Sequence, residues 1–273
     1  MKPNSCPVQP LDFFIKARPN PSLQSPEVMD ISVNTESQKL LTAHRGIPSK
    51  APENTLSGIR LAAQLGARWV ELDTQLSKDR IPVIMHDESL DRTTNGTGLL
   101  REKTLDQLRM LDTGEWYKAD YSGELFPILE EALEECKRLN LTLNLELKLY
   151  PGSDPEALAE RVIELIQETE FPLDKLLLSS FSGDALIRCR ELMPDVRRGF
   201  ISDRTDFSLN QTLNEIEPYS IHLDHRILTP EIARDIKGTG VVLAIWTLNE
   251  PEKAEYFFNM GVDNIITDMI DQF

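Results

Sequence analysis

Residues 68–87, which read RWVELDTQLSKDRIPVIMHD, decide the fold. Two apolar, β-rich runs lie in this stretch, at 68–76 and 81–86, and only residues 77–80 separate them. A crossover between parallel strands needs a dozen or more residues. The second run is therefore predicted to turn back beside the first as a β-hairpin, which brings His86 close to Glu71 and Asp73.

Short β-rich runs and helical stretches alternate on either side of this hairpin. Eight runs remain when the return strand is set aside, and the last five begin about 22 residues apart, as repeated strand–helix units do. The predicted strands are 39–43, 68–76, 141–147, 175–180, 197–202, 219–223, 241–247 and 263–267. The predicted helices are 55–65, 129–138, 155–169, 183–192, 229–237 and 250–260, with Asn54 as the N-cap of the first.

Eight strands are the number that closes a (β/α)₈ barrel. The predicted fold class is therefore α/β, a (β/α)₈ TIM-type barrel with a β-hairpin after strand 2. The polar stretch between His86 and Phe126 is predicted to form a small insertion between strands 2 and 3. Two regions are expected: an N-terminal arm at 1–38, extended or partly disordered, and a barrel domain at 39–273. Only Met269–Phe273 follow the last strand, so the arm is expected to cover the place of the last barrel helix.

Charge and cysteine content narrow the class of partners. The chain has 273 residues, with 29 Lys and Arg against 45 Asp and Glu, and a formal net charge of −16. This balance argues against nucleic acid or stable membrane association and favours a small-molecule substrate. Three widely spaced cysteines form no zinc or disulfide pattern, and neither a signal peptide nor a membrane span is found. A cytoplasmic location is therefore expected, whereas the oligomeric state is not readable.

Acidic side chains recur at spacing two near the ends of two predicted strands. Glu71 and Asp73 share one side of the second strand, and Asn144, Glu146 and Lys148 share one side of the third. Three crowded carboxylates repel one another unless a cation neutralises them. Oxygen ligands without cysteine suit a hard divalent cation, Mg²⁺ or Ca²⁺, with Mn²⁺ as a further candidate. Solvated or ion-paired rim residues are the alternative.

Two of the four histidines, His44 and His86, fall at strand ends beside these carboxylates. A histidine pair that flanks a metal suits general acid and general base catalysis near neutral pH. A hydrogen-bonded structural role, or metal ligation, is the alternative for each. His222 and His225, near the sixth strand end, are interpreted as structural.

Positive charge next to the carboxylates indicates a substrate that contains phosphate. Arg45 and Lys148 form a cationic focus in an otherwise acidic chain, and both side chains bind phosphate oxygens well. Simple pairing with Glu53 or Asp73 is the alternative. Trp246, at the seventh strand end, is either a pocket wall or part of the barrel packing.

These motifs, in this order and spacing, resemble those of the glycerophosphodiester phosphodiesterase family. The resemblance covers roughly residues 39–268. The matching segments are HRG at 44–46, PENT at 52–55, ELD at 71–73, PVIMHD at 82–87, LDRTTNGTG at 90–98, PILEE at 127–131, NLELK at 144–148, WTLN at 246–249 and IITD at 265–268. Two departures exist: Arg80 stands where the family usually has glycine, and the chain stops soon after Asp268.

The resemblance implies a TIM-type barrel that hydrolyses deacylated phospholipids, such as glycerophosphocholine, to glycerol 3-phosphate and an alcohol. It carries roles onto eight positions of this sequence. They are His44 and His86 as the acid/base pair, Glu71, Asp73 and Glu146 as ligands of Mg²⁺ or Ca²⁺, Arg45 and Lys148 as phosphate contacts, and Trp246 as a wall of the alcohol pocket. The nucleophile is either the glycerol 2-hydroxyl or water.

Other functions are compatible with parts of the pattern. A lysophospholipase D-like enzyme of related architecture would need an apolar groove, and the stretch between His86 and Phe126 offers only scattered apolar residues. A binding protein without turnover would be expected to lack a residue such as His44 or His86. An unrelated metal-dependent barrel acting on sugar phosphates would not need the return hairpin.

Overall fold

The computed structural model describes residues 39–273, and the predicted arm at 1–38 lies outside the described residues. The strands are β1 (Leu40–Ala43), β2 (Trp69–Leu76), β3 (Pro82–Ile84), β4 (Thr142–Leu147), β5 (Leu176–Ser180), β6 (Arg197–Ser202), β7 (Ser220–Asp224), β8 (Val242–Trp246) and β9 (Asn264–Thr267). The α-helices are α1 (Leu56–Gln64), α2 (Leu105–Leu108), α3 (Leu129–Arg138), α4 (Pro155–Glu168), α5 (Gly183–Leu192), α6 (Leu209–Ile216), α7 (Pro230–Lys237) and α8 (Ala254–Asn259).

Eight of these strands form a closed parallel barrel. β1 pairs with β2 on one side and with β9 on the other, and the remaining strands follow in chain order from β2 through β4 to β9. The helices lie between successive strands, as in a (β/α)₈ barrel. The prediction of this fold from the strand count is therefore confirmed.

The β-hairpin after the second strand is also confirmed. β3 runs antiparallel to β2, with Thr74 opposite Ile84 and Leu76 opposite Pro82. Arg80 adopts the left-handed conformation in the turn, with a φ of 61°, where glycine would be unstrained. β3 ends at Ile84, before the predicted end at 86, so His86 lies in the loop that follows.

The insertion after the hairpin has a small core of its own. It contains α2 and two short 3₁₀ turns, Leu100–Glu102 and Ala119–Tyr121. The buried side chains that pack together there are Val83, Met85, Leu90, Leu100, Leu108 and Phe126. The insertion is therefore an ordered cover over one side of the hairpin.

Three local expectations were wrong or incomplete. α6 was not predicted, because its sequence is rich in Asn and Thr, which have low helix propensity. The predicted helix at 250–260 is a 3₁₀ turn, Pro251–Lys253, followed by α8. The N-cap of α1 is Thr55, whose side chain accepts a hydrogen bond from the Gly58 N–H, and it is not Asn54.

Strand alternation separates an apolar layer from a polar barrel interior. Leu72 and Leu145 are fully buried against the helices, whereas their neighbours Glu71 and Asn144 face the other side and are buried as well. Small barrels normally fill the interior with apolar residues. Polar side chains there therefore indicate a site. Among the described residues, no helix is both long and apolar enough to span a membrane.

Candidate active site

His44 lies directly after β1, where it contacts the far end of the chain. Its Nδ1 is 2.7 Å from Oδ1 of Asp268, which follows β9. Asn249 donates to the other Asp268 oxygen over 2.6 Å and accepts a hydrogen bond from the Asp268 N–H. Burial disfavours the charge of Asp268, but the bond to His44 holds its pKa below the usual value. The carboxylate therefore orients the ring and leaves Nε2 for other contacts.

His86 is held in the same way by its neighbour. Its Nδ1 lies 2.7 Å from Oδ1 of Asp87. Arg92 donates two hydrogen bonds to Asp87 and lowers the pKa of that carboxyl to about 2. The backbone is fixed as well, since the Gln75 amide and the Tyr150 hydroxyl both donate to the His86 carbonyl. Burial lowers the pKa of His86 itself, which favours the neutral ring.

Three carboxylates meet inside the barrel mouth. One oxygen of each of Glu71, Asp73 and Glu146 lies within 4.8 Å of the others. The strand register explains this, because β2 and β4 pair Asp73 with Glu146, and Glu71 comes two residues before Asp73 on the same side. All three side chains are buried. The metal ligands predicted from sequence are thus brought together.

Two cations lie against this acidic cluster. Lys148 Nζ is 2.5 Å from Glu146 Oε1 and 3.1 Å from Asp73 Oδ1. Arg45 Nε lies 3.4 Å from Asp73, and an Nη of Arg45 donates to Glu53 over 2.9 Å. Burial disfavours the Asp73 carboxylate, yet Lys148 and Arg45 hold its pKa well below the usual value. Both cations predicted to contact phosphate therefore lie at the cluster.

Asn54 has a role that the sequence analysis missed. Its side-chain amide donates to Asp73 Oδ2 over 2.8 Å, and its Oδ1 accepts from the Asp73 N–H over 3.1 Å. Asn54 also has a φ of 54°, which non-glycine residues adopt rarely, Asn among the most often. Asn54 therefore positions a carboxylate of the acidic cluster. The sequence analysis assigned it to capping because asparagine is a favoured N-cap and stands directly before the predicted helix at 55–65.

The cluster has the donor set of a divalent cation site. Glu71 Oε1 is buried and has no hydrogen-bond partner among the described residues. Burial, and then repulsion from Asp73, raise the pKa of Glu71 well above its usual value. Burial likewise raises the pKa of Glu146 to about 7. A bound cation would oppose both shifts, since its positive charge favours the ionised carboxylates. Three carboxylates without sulfur suit a hard ion.

A cavity of about 200 Å³ lies between the two histidines and the acidic cluster. Both predicted catalytic histidines line it, together with Glu71, Glu146 and Lys148. Its apolar wall is formed by the aromatic and aliphatic side chains Phe181, Ile201, Trp246 and Ile266. The Phe181 and Trp246 rings pack edge to face with centroids 5.6 Å apart. Trp246 is therefore a wall of the site cavity as well as a packing residue.

The two histidines interpreted as structural differ from each other. His225 packs edge to face on Phe257, and its Nδ1 lies 3.3 Å from the Trp246 carbonyl, outside the cavity. His222 lines the cavity itself and is almost completely buried. A structural role therefore explains the contacts of His225, but it does not explain why His222 lines the cavity.

Fold and site together define a class: a (β/α)₈ barrel with a carboxylate cluster suited to a divalent cation at the carboxyl ends of its strands, where barrel enzymes bind substrate. The model of the glycerophosphoryl diester phosphodiesterase family matches residues 44–272. The chain belongs to this family, whose members are hydrolases.

Individual relatives support membership of this family. A glycerophosphodiester phosphodiesterase of Caldanaerobacter subterraneus is 35% identical over 233 residues, 84% of this chain and 93% of that protein. The human glycerophosphodiester phosphodiesterase 1 is 30% identical, over 84% of this chain and 78% of its own length. The solved structure of an Oleispira antarctica phosphodiesterase, in complex with the product sn-glycerol-3-phosphate, superposes with a TM-score of 0.82. It is 35% identical and covers 85% of this chain and 94% of its own.

Proposed function

We propose that this chain hydrolyses glycerophosphodiesters, such as glycerophosphocholine or glycerophosphoethanolamine, to glycerol 3-phosphate and an alcohol in a metal-dependent reaction. The supporting observation is that one cavity is lined by both His44 and His86 and by two of the three clustered carboxylates, Glu71 and Glu146. A phosphodiester needs positive charge on its oxygens and proton transfer at the bond that breaks. Both requirements are met by groups that line or border this cavity.

The cation is proposed to be held by Glu71, Asp73 and Glu146, and Mg²⁺ or Ca²⁺ suits these ligands, with Mn²⁺ as a further candidate. When bound, it supplies positive charge that stabilises the phosphate oxygens in the transition state. Arg45 and Lys148 add charge-assisted hydrogen bonds to the same oxygens. Trp246 is proposed to form a wall of the pocket for the alcohol.

The two histidines are proposed to transfer the protons. In each ring Nδ1 is held by a carboxylate, that of Asp268 for His44 and that of Asp87 for His86, so Nε2 is the atom that exchanges a proton. One ring takes the proton of the attacking hydroxyl as the new P–O bond forms. The other ring protonates the alcohol oxygen as its bond to phosphorus breaks. The attacking hydroxyl belongs either to water, which gives glycerol 3-phosphate directly, or to the glycerol, at its 2-position. In the second case a cyclic phosphate forms, and water then opens it to glycerol 3-phosphate with the two proton transfers reversed.

A panel of glycerophosphodiesters tests this proposal, with release of glycerol 3-phosphate as the readout. His44→Ala and His86→Ala should each reduce turnover by about 10²- to 10⁴-fold while the melting temperature stays near the wild-type value. His225→Ala is the matched control, because this ring lies outside the cavity. Near-normal turnover in both of the first two variants would contradict the acid/base assignment.

Lysophosphatidylcholine belongs in the same panel. Leu147, Leu149 and Phe181 line an outer groove next to the cavity, and an acyl chain would need such apolar surface. We expect the glycerophosphodiesters to be preferred, because the groove also contains Lys148 and the Tyr150 hydroxyl. A higher kcat/KM for the lysolipid would favour the lysophospholipase D-like alternative. A cytoplasmic location remains part of the proposal and is tested by fractionating cells that express the full chain.

A further inference from the structure

His222 is a buried polar residue for which the proposed mechanism has no use. It lies on β7 with 2% of its surface exposed, and its ring lines the same cavity as Glu71 and Asn144. Its Nδ1 is buried and has no hydrogen-bond partner among the described residues, and the same holds for Asn144 Oδ1. Buried polar atoms are nearly always hydrogen-bonded, because leaving them unpaired is unfavourable. Two such atoms on residues that line one cavity indicate that the cavity holds a polar ligand.

The fold holds the opposite edge of the imidazole ring in place. His222 Nε2 lies 2.8 Å from the hydroxyl of Ser220, two residues earlier on the same side of the strand. Gly199 on the neighbouring strand leaves room for this edge, because a Cβ there would lie 2.9 Å from Nε2. With Nε2 committed to Ser220, Nδ1 is the ring nitrogen that remains for a ligand.

The ring is neutral at neutral pH. Burial lowers the pKa of His222 to about 4, and within residues 39–273 no carboxylate pairs with the ring. A neutral imidazole has one donor and one acceptor nitrogen, and a hydroxyl partner can satisfy Nδ1 in either tautomer. A phosphate oxygen or a quaternary ammonium group fits less well, since the first only accepts and the second offers no N–H. A hydroxyl group is therefore the matching ligand chemistry.

The shape of the site suggests which hydroxyl this is. The cavity that contains His222 is bounded by Ile201 and Ile266, whereas the groove beyond Phe181, which Tyr150 also lines, is larger, at about 470 Å³. Every glycerophosphodiester has the glycerol in common, and only the alcohol varies. A fixed hydrogen-bonding end suits the constant part. The variable alcohol suits the larger groove, which begins at Phe181, where this ring packs on Trp246.

We propose that His222 Nδ1 forms a hydrogen bond with a free hydroxyl group of the substrate glycerol, which makes His222 a specificity-determining residue. This inference rests on the proposed function, because it assumes that a glycerol phosphate occupies the cavity. It assigns no proton transfer to His222.

Competitive inhibition of the metal-loaded enzyme tests the assignment, because the Ki reports binding of the inhibitor and not the rate of the chemical step. Glycerol 3-phosphate and inorganic phosphate are the two probes, and His222→Gln and His222→Asn the two variants. Asn places a polar group near the position of Nδ1, and Gln near that of Nε2. We expect His222→Gln to raise the Ki of glycerol 3-phosphate about 10- to 100-fold and that of phosphate less than about twofold. His222→Asn should raise the Ki of glycerol 3-phosphate less than His222→Gln does. Ser220→Ala is the control, because it removes only the contact with Nε2.

Two results would overturn the inference while the proposed function stands. One is an unchanged Ki for glycerol 3-phosphate in His222→Gln, as expected if Nδ1 binds only an internal water. The other is an equal loss for both probes, which indicates a purely structural role.

If the variants do not fold, affinities of the wild-type enzyme for substrate analogues test the inference instead. The monophosphates of propane-1,2-diol and propane-1,3-diol each lack a different hydroxyl of glycerol 3-phosphate, and the one that lacks the hydroxyl bound by His222 should bind more weakly than glycerol 3-phosphate. Equal affinity for all three would overturn the inference, whereas a wild-type enzyme that releases no glycerol 3-phosphate would instead contradict the proposed function.

Discussion

The carboxylate of Asp268 lies 2.7 Å from Nδ1 of His44, although 224 residues separate the two along the chain. Closure of the barrel produces this contact, because β1 and β9 are neighbours. The pair joins a proposed acid/base residue to a carboxylate that had no predicted role.

Asp268→Asn should lower kcat about 10- to 1000-fold with little change in KM. An amide can no longer stabilise a protonated His44 ring or hold the tautomer that leaves Nε2 free. The control is Asp271→Asn, which removes only the ion pair with Lys50 at the same end of the chain. Steady-state kinetics of both variants check this. A kcat for Asp268→Asn equal to that of the control would show that the contact has no catalytic relevance.

Asn54→Ala should weaken divalent-cation binding about 10- to 100-fold, because Asn54 holds the Asp73 carboxylate and backbone. Thr55→Ala is the matched control, since Thr55 caps α1 and should lose about 1 kcal/mol of stability with near-normal cation affinity. Calorimetric titration with Mg²⁺ and thermal melting separate the two effects. The reverse pattern, with lost stability but normal affinity in Asn54→Ala, would show that Asn54 stabilises the fold without supporting the cation site.

Much of the fold was predictable because it depends on short-range spacing. The four residues at 77–80 leave no room for a crossover, so the hairpin and the approach of His86 to the carboxylates follow from the sequence. The pairing of Asp268 with His44 could not be predicted in this way, because it depends on barrel closure. α6 was missed since its residues have weak helical preference, and Asn54 was misassigned because asparagine is a favoured N-cap.

The His222 environment predicts a specific pH dependence of stability. The pKa of His222 is about 4 in the folded protein, below the ordinary value of 6.5. The folded state therefore binds fewer protons than the unfolded state between these pH values, so stability decreases as the pH falls from about 6.5 to 4. The loss attributable to this group is about 3 kcal/mol. His222→Gln lacks it, so the stability advantage of the wild type over this variant should shrink across that window. Urea unfolding at pH 7, 5.5 and 4 checks this, and a constant difference would refute the prediction.

Gly199→Ala should destabilise the barrel by about 1–3 kcal/mol, because the added methyl would lie 2.9 Å from Nε2 and 3.0 Å from Cε1 of the His222 ring. Gly183→Ala provides the comparison, since the closest side-chain atom there would be 3.8 Å from the new Cβ. Chemical denaturation of both variants measures the difference. Equal stabilities would mean that the His222 ring has more freedom than its contacts with Ser220 and Gly199 indicate.

The central claim is that Glu71, Asp73 and Glu146 bind a divalent cation that the reaction requires. The most direct measurement follows glycerol 3-phosphate release from glycerophosphocholine by chelated enzyme during titration with Mg²⁺, Ca²⁺ or Mn²⁺, beside calorimetric binding of the same ion. For the wild type we expect no activity after chelation and a return of activity that parallels ion binding, and for Glu71→Gln a loss of both. Full activity after exhaustive chelation, or unchanged ion binding in Glu71→Gln, would contradict the claim.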